Sequence, residues 1–296
     1  MELRHIRYFL AVAEELNFTR AAQKLLIAQP PLSRQIQALE EELGVQLFIR
    51  NPRSLQLTEE GILFRQQARQ ILSLVDKSTE EIREMKNGLG GTLYIASVEG
   101  YAPRLIAHWI AGFQKIYPRV QYNIWNGNSD DVIDRLMNGL CDLALIVEPY
   151  NAEGLYALPV FQESWTAFIP VDHPLALEPG DTVELQKLST EELIVPSRRS
   201  RIREIMTWFD DSNLPRPTIR CEMAHMMNAC ALTEEGVGIA IFPASAAILS
   251  PTKNIVSKEI VQPSFHATYT MTWNKNHQLS KLADTFLNHV KENLQS

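Results

Sequence analysis

Two consecutive prolines, Pro30 and Pro31, restrict the local fold more than any other feature of the chain. Proline has no main-chain N–H, so a helix tolerates it only in the first turn. A helix should therefore begin at this pair and end at Gly44, a residue type suited to the left-handed position after a helix. Its predicted apolar stripe consists of Leu32, Ile36, Leu39 and Leu43. The sequence predicts a short helix with a rigid first turn and one buried face.

Two further helices are predicted before this one. Apolar residues at steps of three and four between Leu3 and Leu16 indicate an amphipathic helix that ends at Asn17. Thr19 is predicted to cap a second helix over residues 20–26. Two short helices joined by a tight turn, the second opened by proline, predict a helix-turn-helix. Residues 45–58 read as two brief strands around an Asn-Pro-Arg-Ser turn, which predicts a wing.

The third helix carries polar side chains on the face opposite its apolar stripe. Glutamine, serine and arginine suit base edges in the major groove, and nearby arginines suit phosphate or a narrow minor groove. An ordinary three-helix core with a hairpin is the alternative, and periodicity alone does not exclude it. We expect double-stranded DNA to be bound by Thr19, Arg20, Gln29, Pro30, Pro31, Ser33, Arg34, Gln37, Arg50 and Arg53.

The net charge of −7 at first argues against a nucleic-acid partner, because phosphate binding needs basic residues. Residues 1–90, however, carry 12 basic and 12 acidic side chains, so the remaining 206 residues, with 16 and 23, hold the whole excess. Within residues 17–58 five basic side chains face three acidic ones. The acidity belongs to the C-terminal part, and the basic excess lies around the predicted helix-turn-helix.

Residues 58–87 are predicted to form one long helix. Apolar side chains recur at alternating steps of four and three, the spacing of a coiled-coil seam. A helix packed on its own domain is the alternative, but charged residues on the other faces favour a homodimer. The seam residues expected to dimerise are Phe64, Ala68, Ile71, Val75 and Ile82.

A resemblance to a known family rests on three strings of this sequence. These are Asn17-Phe-Thr-Arg-Ala-Ala-Gln-Lys-Leu, then Ala28-Gln-Pro-Pro-Leu-Ser-Arg-Gln-Ile-Gln-Ala-Leu-Glu-Glu-Glu-Leu-Gly-Val-Gln-Leu-Phe, and Leu57-Thr-Glu-Glu-Gly61 together with Arg50. They resemble LysR-type transcriptional regulators, and the helix is similar to that of the regulators of aromatic catabolism. The resemblance implies promoter DNA with an interrupted inverted repeat, a linker helix, and commonly a tetramer. It leaves RNA polymerase open as a further partner.

After Asn87-Gly-Leu-Gly-Gly91 the pattern changes to alternating strands and helices, a βαβαβ order typical of a parallel sheet. Two α/β subdomains joined by two crossings resemble periplasmic binding proteins, as LysR-type effector domains do. The predicted fold is therefore a mixed α+β and α/β multidomain chain. Its parts are a winged helix-turn-helix (1–58), a linker helix (59–89) and an effector domain (90–296), the last divided into subdomain I (about 92–162 and 268–296) and subdomain II (about 163–267).

Residue motifs for catalysis are lacking in the sequence: there is no Gly-x-Ser-x-Gly elbow, phosphate loop or metal-binding pair. We expect no enzyme activity, no cofactor and no metal. No apolar run approaches the length of a membrane span and no secretory signal is found, so a cytoplasmic location without membrane contact is expected. The alternative function is a cytoplasmic small-molecule binding protein or enzyme that uses its N-terminal helices only to dimerise.

The effector should bind in the cleft between the subdomains, at the carboxyl ends of the strands. Related sensors of aromatic acids commonly place a small hydroxyl residue where this chain has Glu99. A carboxylate there attracts a cation, and Glu148 adds a second one, so a cationic amine or diamine is slightly favoured. The arginine-rich run at residues 198–203 favours an aromatic or dicarboxylic acid instead. The predicted effector residues are Ser97, Glu99, Gly100, Asn126, Asn128, Glu148, Ser200, Arg201 and His225.

Overall fold

The computed structural model describes residues 1–51, 54–84, 90–249 and 252–294, with the side chains of residues 80–84 and 249 left out. The chain forms two compact units, Met1–Gly88 and Leu89–Ser296. We call the first unit the head and the second the sensor. In the part of the chain that the structure describes, no helix is long and apolar enough to cross a membrane.

The head contains four helices and a two-stranded hairpin. The elements are α1 (Leu3–Glu15), α2 (Phe18–Lys24), α3 (Gln29–Leu43), β1 (Phe48–Asn51), β2 (Ser54–Leu57) and α4 (Glu59–Glu84). The two prolines lie in the first turn of α3, and Gly44 ends it with a φ of 71°. The strands β1 and β2 pair antiparallel and form the predicted wing. The prolines and the glycine thus set the bounds of α3 as the sequence predicts.

The start of α2 differs from the prediction. Asn17, and not Thr19, caps this helix, because the extended backbone of Asn17 lets its side-chain oxygen accept the N–H of Arg20 at 3.0 Å. The helix accordingly begins at Phe18 and ends at Lys24, two residues earlier than expected at both ends. Leu26 follows with a positive φ of 57° in the turn before α3.

The sensor is an α/β unit built on mixed sheets. Its first elements are β3 (Gly91–Ser97), α5 (Ala102–Ile116), β4 (Val120–Asn126), α6 (Ser129–Met137) and β5 (Leu143–Val147), in the predicted βαβαβ order. The following elements are β6 (Leu155–Pro170), α7 (Pro174–Leu177), β7 (Thr182–Glu184), α8 (Leu185–Leu188), β8 (Glu192–Pro196), α9 (Arg199–Asp211), β9 (Thr218–Met223), α10 (Met226–Glu234), β10 (Ile239–Pro243), α11 (Ala246–Leu249), β11 (Ile255–Val261), β12 (His266–Asn274) and α12 (Lys281–Leu294).

One long strand, β6, is shared by two groups of strands, which we call subdomain I (with β3, β4, β5 and β12) and subdomain II (with β7 to β11). Its first half pairs antiparallel with β12, and its second half pairs with β10 and β11. The strand order is β4-β3-β5-β12-β6-β10-β8-β9; off this path, β11 pairs with β6 and β7 pairs with β11. The parallel pairing of β3 with β4 and β5 is confirmed. The predicted strand near 164–170 is only the second half of β6. The first half is apolar from Leu155 to Phe161, but its residues are mostly exposed or half-buried, and β9 likewise alternates between exposed and half-buried positions.

Candidate nucleic-acid interface and ligand cavity

The N-terminal half of α3 presents a polar face to solvent. Leu32, Ile36 and Leu39 are fully buried on the opposite side, so the helix is fixed to the core of the head by that stripe. Ser33 is half-buried, and the exposed members of the predicted set on this helix are Gln29, Pro30, Pro31, Arg34 and Gln37. The structure therefore brings the predicted base-reading residues together on one accessible face.

Two other predicted DNA contacts lie at α2. Thr19 is exposed and takes no part in capping the helix. The Arg20 guanidinium donates to the main-chain oxygen of Glu15 at 2.5 Å, and its Nε lies 3.7 Å from the Glu15 carboxylate. Arg20 is thus held against the end of α1, which leaves Thr19 as the freer of the two groups.

The wing arginine Arg50 is anchored within the head. Its Nη2 donates to the buried Glu40 carboxylate at 2.9 Å, and the guanidinium carbon lies 5.2 Å from the centre of the Phe18 ring. The Arg50 side chain is nevertheless 39% exposed, so part of the guanidinium faces solvent. Arg53, the other predicted wing contact, lies outside the described residues.

The first half of the predicted dimer seam on α4 packs against the head's own core. Ala68 is fully buried in the core of the head, and Phe64 and Ile71 pack against the same core. Val75 is half-buried, and the side chain of Ile82 lies outside the described part. The apolar spacing of α4 correctly indicated a buried stripe. It did not indicate what the stripe packs against, because packing within the head and packing between two chains need the same spacing.

A cavity of about 1070 Å³ lies between the two subdomains of the sensor. Of the predicted effector residues, its lining includes Glu99, Asn126, Asn128, Ser200, Arg201 and His225. Ser97, Gly100 and Glu148 are not in the lining, and their contact with the effector stays a prediction. Ser97 is buried beneath the wall and accepts a hydrogen bond from Asn126 Nδ2 at 2.8 Å. Gly100, with a φ of 84°, supports the wall from behind, because a Cβ there would lie 2.5 Å from the Tyr269 hydroxyl.

Two polar contacts between side chains that line the cavity cross the cleft. The Glu99 carboxylate of subdomain I lies 2.7 Å from Nδ1 of His225 in subdomain II. In the second contact, Nε of Arg198 donates to both carboxylate oxygens of Asp130 at 3.1 Å, and Nη2 of Arg198 donates to the Pro149 carbonyl oxygen. Arg198 precedes α9 and Asp130 lies in the first turn of α6, so the second pair joins two helix starts. Sequence reasoning missed Asp130 and Arg198 as partners, because 68 residues separate them.

The other arginine side chains that line the cavity differ in whether they have an acidic partner. Arg201 is buried, lies over the Trp165 ring at 4.8 Å and bonds to Glu204. Burial raises the pKa of Glu204, although the Arg201 guanidinium acts in the opposite direction. Arg199 and Arg203 also line the cavity, and within the described ranges neither has an acidic partner. The cavity therefore holds two cationic groups whose charge is not already matched.

A hydrogen-bonded cluster behind the cavity links the two subdomains through β6. The carboxylate of Glu163 accepts from the Tyr269 hydroxyl at 2.6 Å and from the N–H and hydroxyl of Ser245 at 2.6 and 2.8 Å. The Tyr269 oxygen in turn accepts the N–H of Tyr101, at the start of α5. Burial, reinforced by Glu163, raises the pKa of Tyr269, so its hydroxyl stays a donor. No local pattern in the sequence marks this cluster, since its members lie up to 168 residues apart.

Comparison with known families agrees with this geometry. Residues 3–62 match the helix-turn-helix of bacterial regulatory proteins of the lysR family, and residues 86–295 match the LysR substrate binding domain. The chain belongs to the LysR family of transcriptional regulators. It is a DNA-binding regulator with an effector-binding domain and not an enzyme, and regulators of this family bind DNA and small-molecule effectors and form oligomers.

Known LysR-family regulators are similar to this chain over most or all of its length. The uncharacterized HTH-type transcriptional regulator YnfL of Escherichia coli is 34% identical over 299 residues, covering 98% of each chain. BenM of Acinetobacter baylyi is 34% identical over 248 residues, covering 83% of this chain and 81% of BenM. Among solved structures, the LysR family regulator CbnR has a TM-score of 0.80 with 27% identity and full coverage of both chains. CbnR in complex with its target DNA has a TM-score of 0.79 with 28% identity and 99% coverage of both chains.

Proposed function

We propose that this LysR-family regulator binds promoter DNA by placing the start of α3 in the major groove. The observation that carries the proposal is the exposed polar face of α3, held by a fully buried stripe. Gln29, Ser33, Arg34 and Gln37 are the base-reading residues, and Thr19 and Arg50 contact the backbone or the minor groove. The target is an interrupted inverted repeat, because two heads of an oligomer read two half-sites.

Substitution of Arg34 tests the reading role. Arg34→Ala should weaken binding to the specific site by about 1–3 kcal/mol per half-site, roughly 5-fold to 160-fold, since a bidentate contact to a base is lost. The matched control is Arg4→Ala, which removes one exposed positive charge that pairs with Glu2. The measurement is a gel shift on the promoter beside its own gene and on random DNA. Equal losses on both duplexes, or equal losses for the two variants, would contradict base reading by Arg34.

We propose further that the effector bears an anionic group. Each acid of the lining already has a hydrogen-bonding partner: Glu99 lies 2.7 Å from His225, Asp130 accepts from Arg198 and Asp131 accepts from Asn128, while Glu148 is not in the lining. Arg199 and Arg203 offer positive charge, and α9 starts at the same wall without a side-chain cap. A cationic amine, which the sequence slightly favours, is the second candidate; it requires the ligand to take the place of His225 at Glu99.

Calorimetry of the full chain separates the two ligand classes. Benzoate and muconate are the anionic probes, and putrescine and cadaverine are the cationic ones. We expect heat of binding from the acids alone, and a loss of their affinity in Arg199→Ala and Arg203→Ala. Arg216→Ala is the matched control, since Arg216 is exposed and bonds to Asp210 away from the lining. Binding of the diamines alone, abolished by Glu99→Gln, would establish the second candidate and reject the first.

Effector binding is proposed to change DNA occupancy through the arrangement of subunits. A ligand shifts such an equilibrium only to the extent that it binds one arrangement more tightly. For the contact between subunits, we propose the face of α4 that carries Leu63 and Leu74, which are 60% and 42% exposed and lie three helical turns apart. This face replaces the seam through Ala68, which the head itself covers.

A further inference from the structure

The carboxylate of Glu40 stands out among the acids of the head because it is buried. The residue is 2% exposed and lies in the last turns of α3. Its Oε1 accepts the main-chain N–H groups of Leu47 and Phe48 at 2.8 and 3.1 Å, and its Oε2 accepts from Arg50 Nη2 at 2.9 Å. A buried carboxylate is costly unless it is hydrogen-bonded, and here three donors satisfy it. All three belong to the beginning of the wing.

Two of these bonds attach the main chain of the wing to α3. Leu47 and Phe48 are themselves buried, so their N–H groups have no access to water and need an acceptor inside the head. Glu40 supplies that acceptor. The wing therefore starts at a fixed position on the helix that carries the base-reading face.

The third bond fixes a side chain. One edge of the Arg50 guanidinium is taken by Glu40, and its face lies over Phe18, the first residue of α2. A guanidinium has five N–H donors, so several remain for an outside acceptor. Thr19, exposed at the start of the same helix, lies next to Phe18 in the chain. Arg50 is thus ordered, and still partly exposed, beside a second backbone-binding candidate.

We propose that Glu40 is a positioning residue for DNA binding, which orders Arg50 before DNA arrives. Flexible arginines lose rotamer freedom on binding phosphate, and a side chain ordered beforehand avoids that loss. The inference rests on the proposed contact of Arg50 with DNA, and it adds that Glu40 holds the Arg50 side chain in place for this contact. Simple charge repulsion predicts the reverse effect, because removal of any acid near DNA strengthens binding.

The test compares two glutamates of α3 in the full chain. Glu40→Gln keeps an oxygen that accepts from Leu47 and Phe48 but removes the charge that holds Arg50. Glu42→Gln is the matched control: it is the same change on the same helix, but Glu42 is exposed and pairs with the amino group of Met1. Affinity for the promoter duplex and its salt dependence are measured, with thermal denaturation as a check of folding.

We expect Glu40→Gln to weaken DNA binding by about threefold to tenfold per head, while Glu42→Gln leaves it unchanged or strengthens it. In an Arg50→Gln background, Glu40→Gln should cause no further loss. Equal or tighter binding by Glu40→Gln than by Glu42→Gln overturns the inference, provided Arg50→Gln itself weakens binding. If Arg50→Gln binds DNA like the wild type, the proposed contact of Arg50 fails and the inference fails with it.

Phe18→Leu provides a second variant should Glu40→Gln fold poorly. Leucine preserves apolar packing in the head but removes the ring on which the guanidinium rests. A loss of affinity that appears with Arg50 present and disappears in the Arg50→Gln background supports the ordered arginine. A loss of the same size in both backgrounds contradicts it.

Discussion

The head and the sensor use charged side chains in opposite ways. In the head, the buried acid Glu40 and its partner Arg50 belong to one compact unit, and they hold the wing in place. In the sensor, the acid and the base of each cleft pair come from different subdomains, as with Asp130 and Arg198. A pair inside one core fixes a surface, whereas a pair across a cleft depends on how closely two bodies approach. The first suits reading a constant DNA shape, and the second suits a response to a ligand.

The largest expected effect tests whether the two units are stabilised separately. Ala68→Glu places a charge in the core of the head, where Ala68 is fully buried, and should cost about 3–5 kcal/mol of its unfolding free energy. All five tryptophans lie in the sensor, from Trp109 to Trp273. Urea unfolding should therefore show early loss of helical circular dichroism without an early change in tryptophan fluorescence.

Leu63→Glu is the control for this variant, because it puts the same charge on an exposed position of the same helix. It should leave the head folded and weaken self-association, as measured by sedimentation. A destabilised sensor in Ala68→Glu, seen as an early fluorescence change, would show that the units do not unfold independently.

A smaller effect is expected at the cluster behind the cavity. Tyr269→Phe removes the donor to Glu163 and the acceptor of the Tyr101 N–H, so it should cost about 1–3 kcal/mol of the unfolding free energy of the sensor. Tyr156→Phe is the matched control, since Tyr156 is 50% exposed. Fluorescence-detected urea unfolding measures both. Losses of the same size in the two variants would mean that the cluster adds nothing to the link between the subdomains.

The smallest effect concerns the pair across the cleft. Arg198→Ala should weaken effector binding by about 1 kcal/mol or less, roughly fivefold, because Asp130 is 66% exposed and solvent screens the pair. Asp130→Ala should have a similar effect, and the double variant should lose little more than either single one. Calorimetry of the wild type, the two single variants and the double variant gives the coupling free energy between Arg198 and Asp130. Fully additive losses would show that Arg198 and Asp130 act independently. A change in DNA affinity measured without effector would contradict the view that this pair serves the ligand response and not the DNA-reading surface.

Local features of the head could be predicted from sequence because they depend on residues a few positions apart. Pro30, Pro31 and Gly44 set the bounds of α3 through backbone chemistry alone. Thr19 shows the limit of such reasoning. Both Asn17 and Thr19 are suitable N-cap residues, and the extended backbone conformation of Asn17 makes Asn17 the cap. Ala68 shows another limit, since a periodic apolar stripe reveals that a face is buried without revealing what covers it.

The charge pairing in the cavity could not be predicted from sequence, because it depends on contacts between residues far apart in the chain. Strand ends correctly placed Glu99, Asn126 and Asn128 at its wall, because parallel strands bring their carboxyl ends to one edge. The partner of Glu99 is His225, 126 residues away, and that pairing changed the predicted charge of the effector site.

The sequence by itself determined the helix-turn-helix, the polar face of α3, the αβ order of the sensor and the family, since each depends on residue types at short, regular spacing. Only the tertiary structure decided that Glu40 holds Arg50, that Ala68 lies in the core of the head, and that Glu99 and Asp130 already have partners across the cleft. The physical reason is that a hydrogen bond or ion pair requires atoms within about 3–4 Å. Chain folding, and not proximity in sequence, brings these atoms together.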